Sequence, residues 1–252
     1  RVRAFNLSGN SDYSNEAVVT TPENRPRLRV PVAGIEFGSL YVCESRNSQM
    51  AIFNDGGAEL LVSSIVRSSG STAFSYVGPD TPFTIPPFGS RILTLRFNPY
   101  DPGPAEAIFG LISNDPDHPE VSFVVSGSAL IPVINLSLEV EKRTERAWII
   151  RRDYGYITVV VNKEVPYTVA RYRLWRKPVA GSYELRREFI ESDFSYGRLV
   201  YIDKYLDKGK SYFYRIEALD CTGRVIAASE TGTQPASVRE KSNLRPERVI
   251  KD

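Results

Sequence analysis

Apolar residues in the middle of the chain come in short runs broken about every 8–12 residues by turn formers, the rhythm of a β-sandwich. Gly34-Ile35-Glu36-Phe37-Gly38 alternates and stops at glycine, and Gln49 to Asn54 runs into the strong turn signal Asp55-Gly56-Gly57. Leu60 to Val66 is the next run. Arg91 to Phe97 alternates throughout, which places Ile92, Thr94 and Arg96 on one face and Leu93, Leu95 and Phe97 on the other. Asn98-Pro99 ends that strand, and Glu106–Ile112 and Val121–Gly127 flank a turn at Asn114-Asp115-Pro116-Asp117-His118-Pro119. Further on, strands are predicted at Leu136–Val140, Ile157–Val161, Tyr172–Lys177, Gly181–Leu185 and Tyr212–Ala218. In the last, Tyr212, Tyr214, Ile216 and Ala218 point inward. No useful stretch carries the helical i, i+3, i+4, i+7 period, so the fold class is all-β.

At 252 residues the chain is too long for one sandwich and long enough for two. Charge locates the division. Residues 27–132 hold six Arg, no Lys and ten acids, a net of −4, and residues 133–252 hold 23 bases and 17 acids, a net of +6. The shift marks a boundary near Pro132. A total charge of +2 gives no case for nucleic acid or a membrane surface, and no apolar run approaches the ~18 residues of a membrane span. Cys43 and Cys221 fall in different segments, which excludes a disulfide within either. Their expected state is the buried free thiol, and the redox compartment stays open.

The middle residues resemble a known family. Ile35-Glu36-Phe37-Gly38-Ser39-Leu40, Phe53-Asn54-Asp55-Gly56-Gly57, Leu95-Arg96-Phe97-Asn98-Pro99 and Ile112 to Glu120 followed by Val124-Val125-Ser126-Gly127-Ser128-Ala129 look like the Ig-like sandwich called ASH or HYDIN-like, as in choice-of-anchor D proteins. That resemblance covers about residues 28–131 and implies a non-catalytic module of seven to eight strands. The C-terminal segment resembles fibronectin type III. Its signs are the spacing Leu206, Gly209, Tyr212 with Tyr201-Ile202-Asp203 and Ala218 to Gly223. The resemblance implies a tyrosine corner, in which the Tyr212 hydroxyl bonds upstream backbone. A core Trp usual in the second strand is replaced by Val159, and Trp148 lies earlier.

An internal repeat organises the N-terminus. Arg1-Val2-Arg3-Ala4-Phe5-Asn6-Leu7-Ser8-Gly9 parallels Arg215-Ile216-Glu217-Ala218-Leu219-Asp220-Cys221-Thr222-Gly223, so residues 1–22 read as the last two strands of a preceding fibronectin type III domain. The chain is therefore expected to begin mid-domain, within a longer array. An isolated two-stranded stub exposes Val2, Ala4, Val18 and Thr20, which leaves completion by the preceding domain's missing strands, packing on residues 27–131 or strand addition to another molecule as open alternatives.

Catalytic templates fail in turn. The chain has no G-x-S-x-G, no G-x-x-x-x-G-K-[ST], no H-E-x-x-H and no C-x-x-C. Its one histidine, His118, lies in a turn without a nucleophile or orienting partner. Asp115, Asp117 and Glu120 cluster three carboxylates, but aspartates beside prolines are first of all turn initiators. Asp101 and Glu106 form no glycosidase pair. Tyr172, Trp175 and Tyr183 with Arg173, Arg176 and Lys177 make an aromatic-basic stretch that reads mainly as core with snorkelling cations, a sugar platform being the alternative. Asn6-Leu7-Ser8 and Asn135-Leu136-Ser137 are sequons with meaning only in a eukaryotic secretory pathway.

The expectation is an elongated, non-enzymatic array of tandem Ig-like and fibronectin type III β-sandwiches. Residues 1–24 supply the truncated strands, 27–131 the ASH-like domain, 133–236 the fibronectin type III domain and 237–252 a tail lying extended on that domain or mobile. No catalytic, metal or cofactor residue is assigned and no cofactor is expected. Partners are proteins, including self-association through the N-terminal strands, with no nucleic acid and no membrane insertion. The role is structural or adhesive in a secreted or surface-exposed prokaryotic protein, a filament among the options. A carbohydrate-binding accessory region of a larger extracellular enzyme and an intracellular ciliary or microtubule scaffold are the alternatives, the latter cytoplasmic.

Overall fold

The computed structural model describes residues 1–16, 24–30, 34–147, 150–207, 210–232 and 249–251. Val18 and Thr20, the linker prolines Pro22 and Pro31, Trp148, Gly209 and most of the 237–252 tail lie outside the described residues. The described chain is almost wholly β, with one short 3-10 turn at Glu191–Asp193.

Nine strands build the first sandwich: β3 (Leu28–Arg29), β4 (Gly34–Tyr41), β5 (Arg46–Asn54), β6 (Leu60–Gly70), β7 (Phe74–Gly78), β8 (Phe83–Ile85), β9 (Ser90–Phe97), β10 (Gly103–Ser113) and β11 (Glu120–Leu130). One sheet runs β4-β11-β10-β6-β8 and the other β3-β5-β9-β7, with β4 parallel to β11. Alternation in Arg91–Phe97 sorts the faces as expected: Leu93, Leu95 and Phe97 are fully buried while Ile92 is exposed. Phe37, Phe74, Phe97, Phe109 and Phe123 fill the space between the sheets, and Phe74 and Phe97 stack at 4.5 Å. Side chains of this size contribute about 1.5–3 kcal/mol each when buried, so they dominate the fold.

The turn motifs carry the polar hubs of this sandwich. Asn54 is fully buried. Its Nδ2 donates to the carbonyls of Ala58 (2.7 Å), Ile85 (3.1 Å) and Pro86 (3.2 Å), and its Oδ1 accepts from Gly56 N–H (3.0 Å) and Arg27 N–H (3.2 Å). Gly56 is required by close approach, because a Cβ there would stand 2.1 Å from the Arg25 carbonyl oxygen. Asp115 works similarly at the other turn: Oδ2 accepts from Leu28 N–H at 2.6 Å, and Oδ1 accepts from Asp117 N–H (2.9 Å) and His118 N–H (3.3 Å).

Burial pushes the Asp115 carboxyl upward, but those three backbone donors overcome it and hold the group below its usual range. A folded-state pKa below the unfolded one means stabilisation that is present above about pH 4 and lost as pH falls through the folded value. Asp115→Asn should therefore flatten the acid limb of the stability curve. Urea titrations between about pH 5 and 2 check this, and parallel wild-type and variant curves would remove Asp115 from the acid response.

The second sandwich contains β12 (Ile134–Ala147), β13 (Ile150–Lys163), β14 (Arg171–Pro178), β15 (Glu184–Phe189), β16 (Arg198–Leu206), β17 (Tyr212–Leu219), β18 (Val225–Gly232) and β19 (Val249–Lys251). Its sheets run β12-β13-β16-β19 and β15-β14-β17-β18. The expected strand at Gly181–Leu185 begins later, at Glu184, because the pairing of Tyr172 with Phe189 sets its register. Tyr212, Tyr214, Ile216 and Ala218 all point into the core, as their alternation requires. The tail's described end, β19, adds parallel to β16.

At the N-terminus, β1 (Phe5–Asn6) and β2 (Gly9–Asn10) form a hairpin turning at Leu7-Ser8. Ser11 and Ser14 N–H groups extend it by bonding the Ala4 and Val2 carbonyls. Val2, Phe5, Leu7 and Tyr13 are exposed, and among the described residues no other element pairs with this hairpin.

Candidate functional site

The two sandwiches meet where β11 hands over to β12 through Ile131-Pro132-Val133, and the sequence shapes both sides of that junction. On the first sandwich, Tyr41, Val42 and Cys43 leave β4 in a turn closed by Glu44 N–H on the Tyr41 carbonyl (3.1 Å). Val42 N–H bonds the Leu130 carbonyl (3.0 Å) and Cys43 N–H the Pro99 carbonyl (2.8 Å), and Cys43 takes φ +69°. A left-handed backbone is uncommon for any residue but glycine. On the second sandwich, Asp220-Cys221-Thr222-Gly223 turns β17 into β18. Asp220 Oδ1 accepts from Thr222 N–H (2.9 Å), Arg224 N–H (3.0 Å) and the Thr222 hydroxyl (2.6 Å), the habit of an aspartate opening a turn.

These turns place the two cysteines together. Cys43 and Cys221 form a disulfide across the junction, with Cα atoms 6.1 Å apart and a sequence separation of 178. This corrects the expectation of two buried free thiols: no free cysteine exists. The physical reason is that separation into different domains excludes a bond within a domain but not one between domains whose loops converge. Cys221 is exposed and Cys43 half-buried.

Weaker contacts surround it. Arg224 Nη2 donates to Asp101 Oδ1 (2.8 Å) and to the Tyr100 carbonyl (3.0 Å), and the Tyr41 ring meets Tyr167 edge-on at 6.2 Å. Asp101 is 91% exposed, and such surface pairs contribute about 0–1 kcal/mol. The Tyr167 hydroxyl and Asp220 Oδ2 are buried without hydrogen-bond partners. Burial, then the Asp220 and Glu44 carboxylates, push the Tyr167 hydroxyl's pKa up. The covalent bond, not the polar contacts, therefore fixes the geometry.

No family model and no curated protein matches the chain. Among solved structures, it is similar to the ASH/PapD-like domain 7 of human CEP192 at 14% identity, covering 48% of this chain and 96% of that one, with a TM-score of 0.38. A protein of unknown function from Porphyromonas gingivalis W83 matches at 22% identity over 43% of this chain and 49% of its own, TM-score 0.36. The class 5 fimbriae chaperone CfaA matches at 9% over 83% and 100%, TM-score 0.30. Likenesses this distant leave function to the chain's own residues.

The other residues singled out from sequence have structural assignments. Tyr172 is core, and Arg176 reaches Asp203 at 2.9 Å. Trp175 Nε1 donates to Glu217 (2.8 Å), Arg173 pairs with Glu188 (2.8 Å), and Lys177 lies between the Tyr183 and Phe213 rings at 4.6 and 5.3 Å. The stretch is thus divided between the core and a self-satisfied outer face, rather than forming an open platform. His118 is exposed, Asp117 pairs with Arg25 (3.0 Å), and no metal-ligating group of three is present among the described residues. Sequence reasoning missed the Asp101–Arg224 contact and the cysteine pairing, since no local pattern joins positions so far apart.

Tyr212 does what its spacing implied: its hydroxyl accepts from the Asp207 N–H at 3.2 Å, five residues upstream. Tyr212→Phe should cost roughly 1–2 kcal/mol in the second sandwich, the price of a lost hydrogen bond at a half-buried site. Urea unfolding monitored by tryptophan fluorescence gives the number, and an unchanged midpoint would refute the corner role.

Proposed function

We propose that the chain is a non-catalytic spacer and protein-interaction segment of a secreted or surface-exposed protein, with two sandwiches locked into one rigid unit. The observation that carries this is the Cys43–Cys221 bond across the junction. Disulfides persist in oxidising compartments and are rare in the cytosol, which supports an extracytoplasmic setting over an intracellular scaffold. A linker by itself leaves domains free to move, so a covalent clamp at the second contact point has a mechanical purpose: it fixes direction and spacing. The order β12-β13-β16 facing β15-β14-β17-β18, with Tyr212 at the start of β17, supports the fibronectin type III assignment of 133–236. The Asn54 and Asp115 hubs support a functional reading of the ASH-like motifs as loop locks rather than ligand sites.

Protein purified from a culture medium or periplasm without reductant should react with no thiol reagent, and with two equivalents after reduction. Small-angle scattering should broaden towards mixed inter-domain geometries once the bond is cut. Two free thiols in the native sample would remove the oxidising compartment, and an unchanged scattering profile would remove the clamp. A second reading rests on the exposed hairpin β1–β2, whose apolar residues Val2, Phe5 and Leu7 have no further strand beside them among the described residues. It supports self-assembly by strand addition, and light scattering before and after deletion of residues 1–24 tests it: assembly that survives deletion excludes the hairpin.

A further inference from the structure

At the end of the second sandwich nearest the junction, a cleft of about 480 Å³ opens between the end of β13 and the turn leading into β16. Asn162, Lys163, Tyr172, Glu191, Phe194 and Tyr196 line it. That volume falls in the range of small-molecule sites, about 300–1,000 Å³.

The turn Ser195-Tyr196-Gly197-Arg198 is unusual. Tyr196 at φ +49° and Gly197 at φ +73° are both left-handed, the signature of a tight hairpin turn that favours Asn or Gly at its first central position. Gly197 is forced twice, by its φ and because a Cβ would lie 2.7 Å from the Val161 carbonyl oxygen. Tyr196 is not forced at all. It is 105% exposed, buries nothing and still bears the cost of a left-handed backbone, a combination that points to use rather than packing. Val161 N–H donates to the Gly197 carbonyl at 2.8 Å, so the turn is pinned to the strand that carries Asn162 and Lys163.

The polar groups of the cleft are held but not used up. Glu191 Oε1 accepts from Val169 N–H (3.0 Å), the Tyr172 hydroxyl (3.1 Å) and the Lys163 ammonium. Among the described residues Glu191 Oε2 has no partner, and neither the Asn162 amide nor the Tyr196 hydroxyl has one. Lys163 also donates to the Tyr167 carbonyl at 2.6 Å, which leaves one of its three N–H groups. The cleft's one positive and one negative side chain neutralise each other. A phosphate ester would face the Glu191 carboxylate, and an ammonium ligand would face Lys163. An uncharged molecule with an apolar face and adjacent hydroxyls suits all of these groups at once.

We propose that this cleft binds a neutral saccharide, with a pyranose face stacked on Tyr196 and its hydroxyls on Asn162, Glu191 Oε2 and Lys163. The proposal stands independently of the spacer reading above. The test is saturation-transfer NMR and calorimetry on the full chain with cellobiose, maltose, lactose and N,N′-diacetylchitobiose, using glucose 6-phosphate and glucosamine as charged comparators. At least one neutral disaccharide should bind with Kd of about 0.1–5 mM. Tyr196→Ala should weaken that binding about tenfold or more, Asn162→Ala about threefold or more, and Tyr196→Phe less than about threefold, since stacking survives loss of the hydroxyl. Both positions are exposed, and unchanged melting curves confirm that the variants fold. Absence of binding by every neutral disaccharide, wild-type affinity in Tyr196→Ala, or tighter binding of a charged comparator each overturns the proposal.

Discussion

Asp203→Ala is expected to destabilise the second sandwich by about 3–5 kcal/mol, the largest effect of any single substitution considered for this chain. Asp203 follows Leu199 and Tyr201 on the inward face of β16 and is fully buried. Oδ2 accepts from Arg176 Nη1 (2.9 Å) and the Tyr214 hydroxyl (3.0 Å), and Oδ1 accepts from Arg186 Nη2 (3.3 Å). Burial lowers the tendency of the Arg176 guanidinium to stay charged, yet Asp203 more than compensates, so the net direction is up. Removing the carboxylate deprives two largely buried guanidinium groups of their buried counter-charge. Removing all three charges does not, so a triple replacement by apolar side chains of similar volume should recover much of the loss. Both tryptophans, Trp148 and Trp175, lie after residue 133 in sequence, so tryptophan fluorescence in urea reports this sandwich selectively. A loss below about 1 kcal/mol would mean that Asp203 is not the group that holds the arginines.

Asn54→Ala should cost the first sandwich about 3 kcal/mol. The amide ties β5 to the loop before β6 and to the end of β8, and its loss leaves several enclosed backbone groups unpaired at about 1–3 kcal/mol for each that water cannot reach. Asn54→Asp should be at least as harmful at neutral pH. A carboxylate keeps the two acceptor contacts but turns the three donor contacts into oxygen facing oxygen. The far-UV circular dichroism transition that tryptophan fluorescence does not share follows this domain, which has no tryptophan. Equal midpoints for wild type and both variants would demote Asn54 to an ordinary turn residue.

How legible these features were depends on how local their causes are. Arg91–Phe97 and Tyr212–Ala218 could be read in full because a period of two against one buried face leaves no freedom in the register. The short strands β7 and β8 were not readable, since three to five residues beside prolines carry too few repeats to show a period. The start of β15 moved by three residues, from Gly181 to Glu184, because its register is set by β14 and not by its own pattern. Asn54 and Asp115 stood out as motif residues, but their partners span 2 to 87 positions, so the motif named the residue without naming its work. The cysteine pair, 178 positions apart, left no local trace. Nor did the cleft, whose residues come from β13, β14 and the turns between β15 and β16; the one available signal was Tyr196-Gly197, an aromatic where a tight turn prefers asparagine.

The disulfide also decides how the chain would respond to tension. A pull applied near residue 1 and near residue 232 enters at β3, reaches Cys43, and crosses directly to Cys221. The 177 residues between the two cysteines, which include β5 to β17, then lie off the load path and cannot be drawn out. At about 3.3–3.6 Å per extended residue, reduction would release roughly 600 Å of hidden contour length. Only the edges of each sandwich bear force while the bond is intact, so a surface thread built from such units would be short and stiff when oxidised, and a long tether once reduced. Single-molecule pulling with and without reductant distinguishes the two regimes, and equal extensions in both would place the load elsewhere.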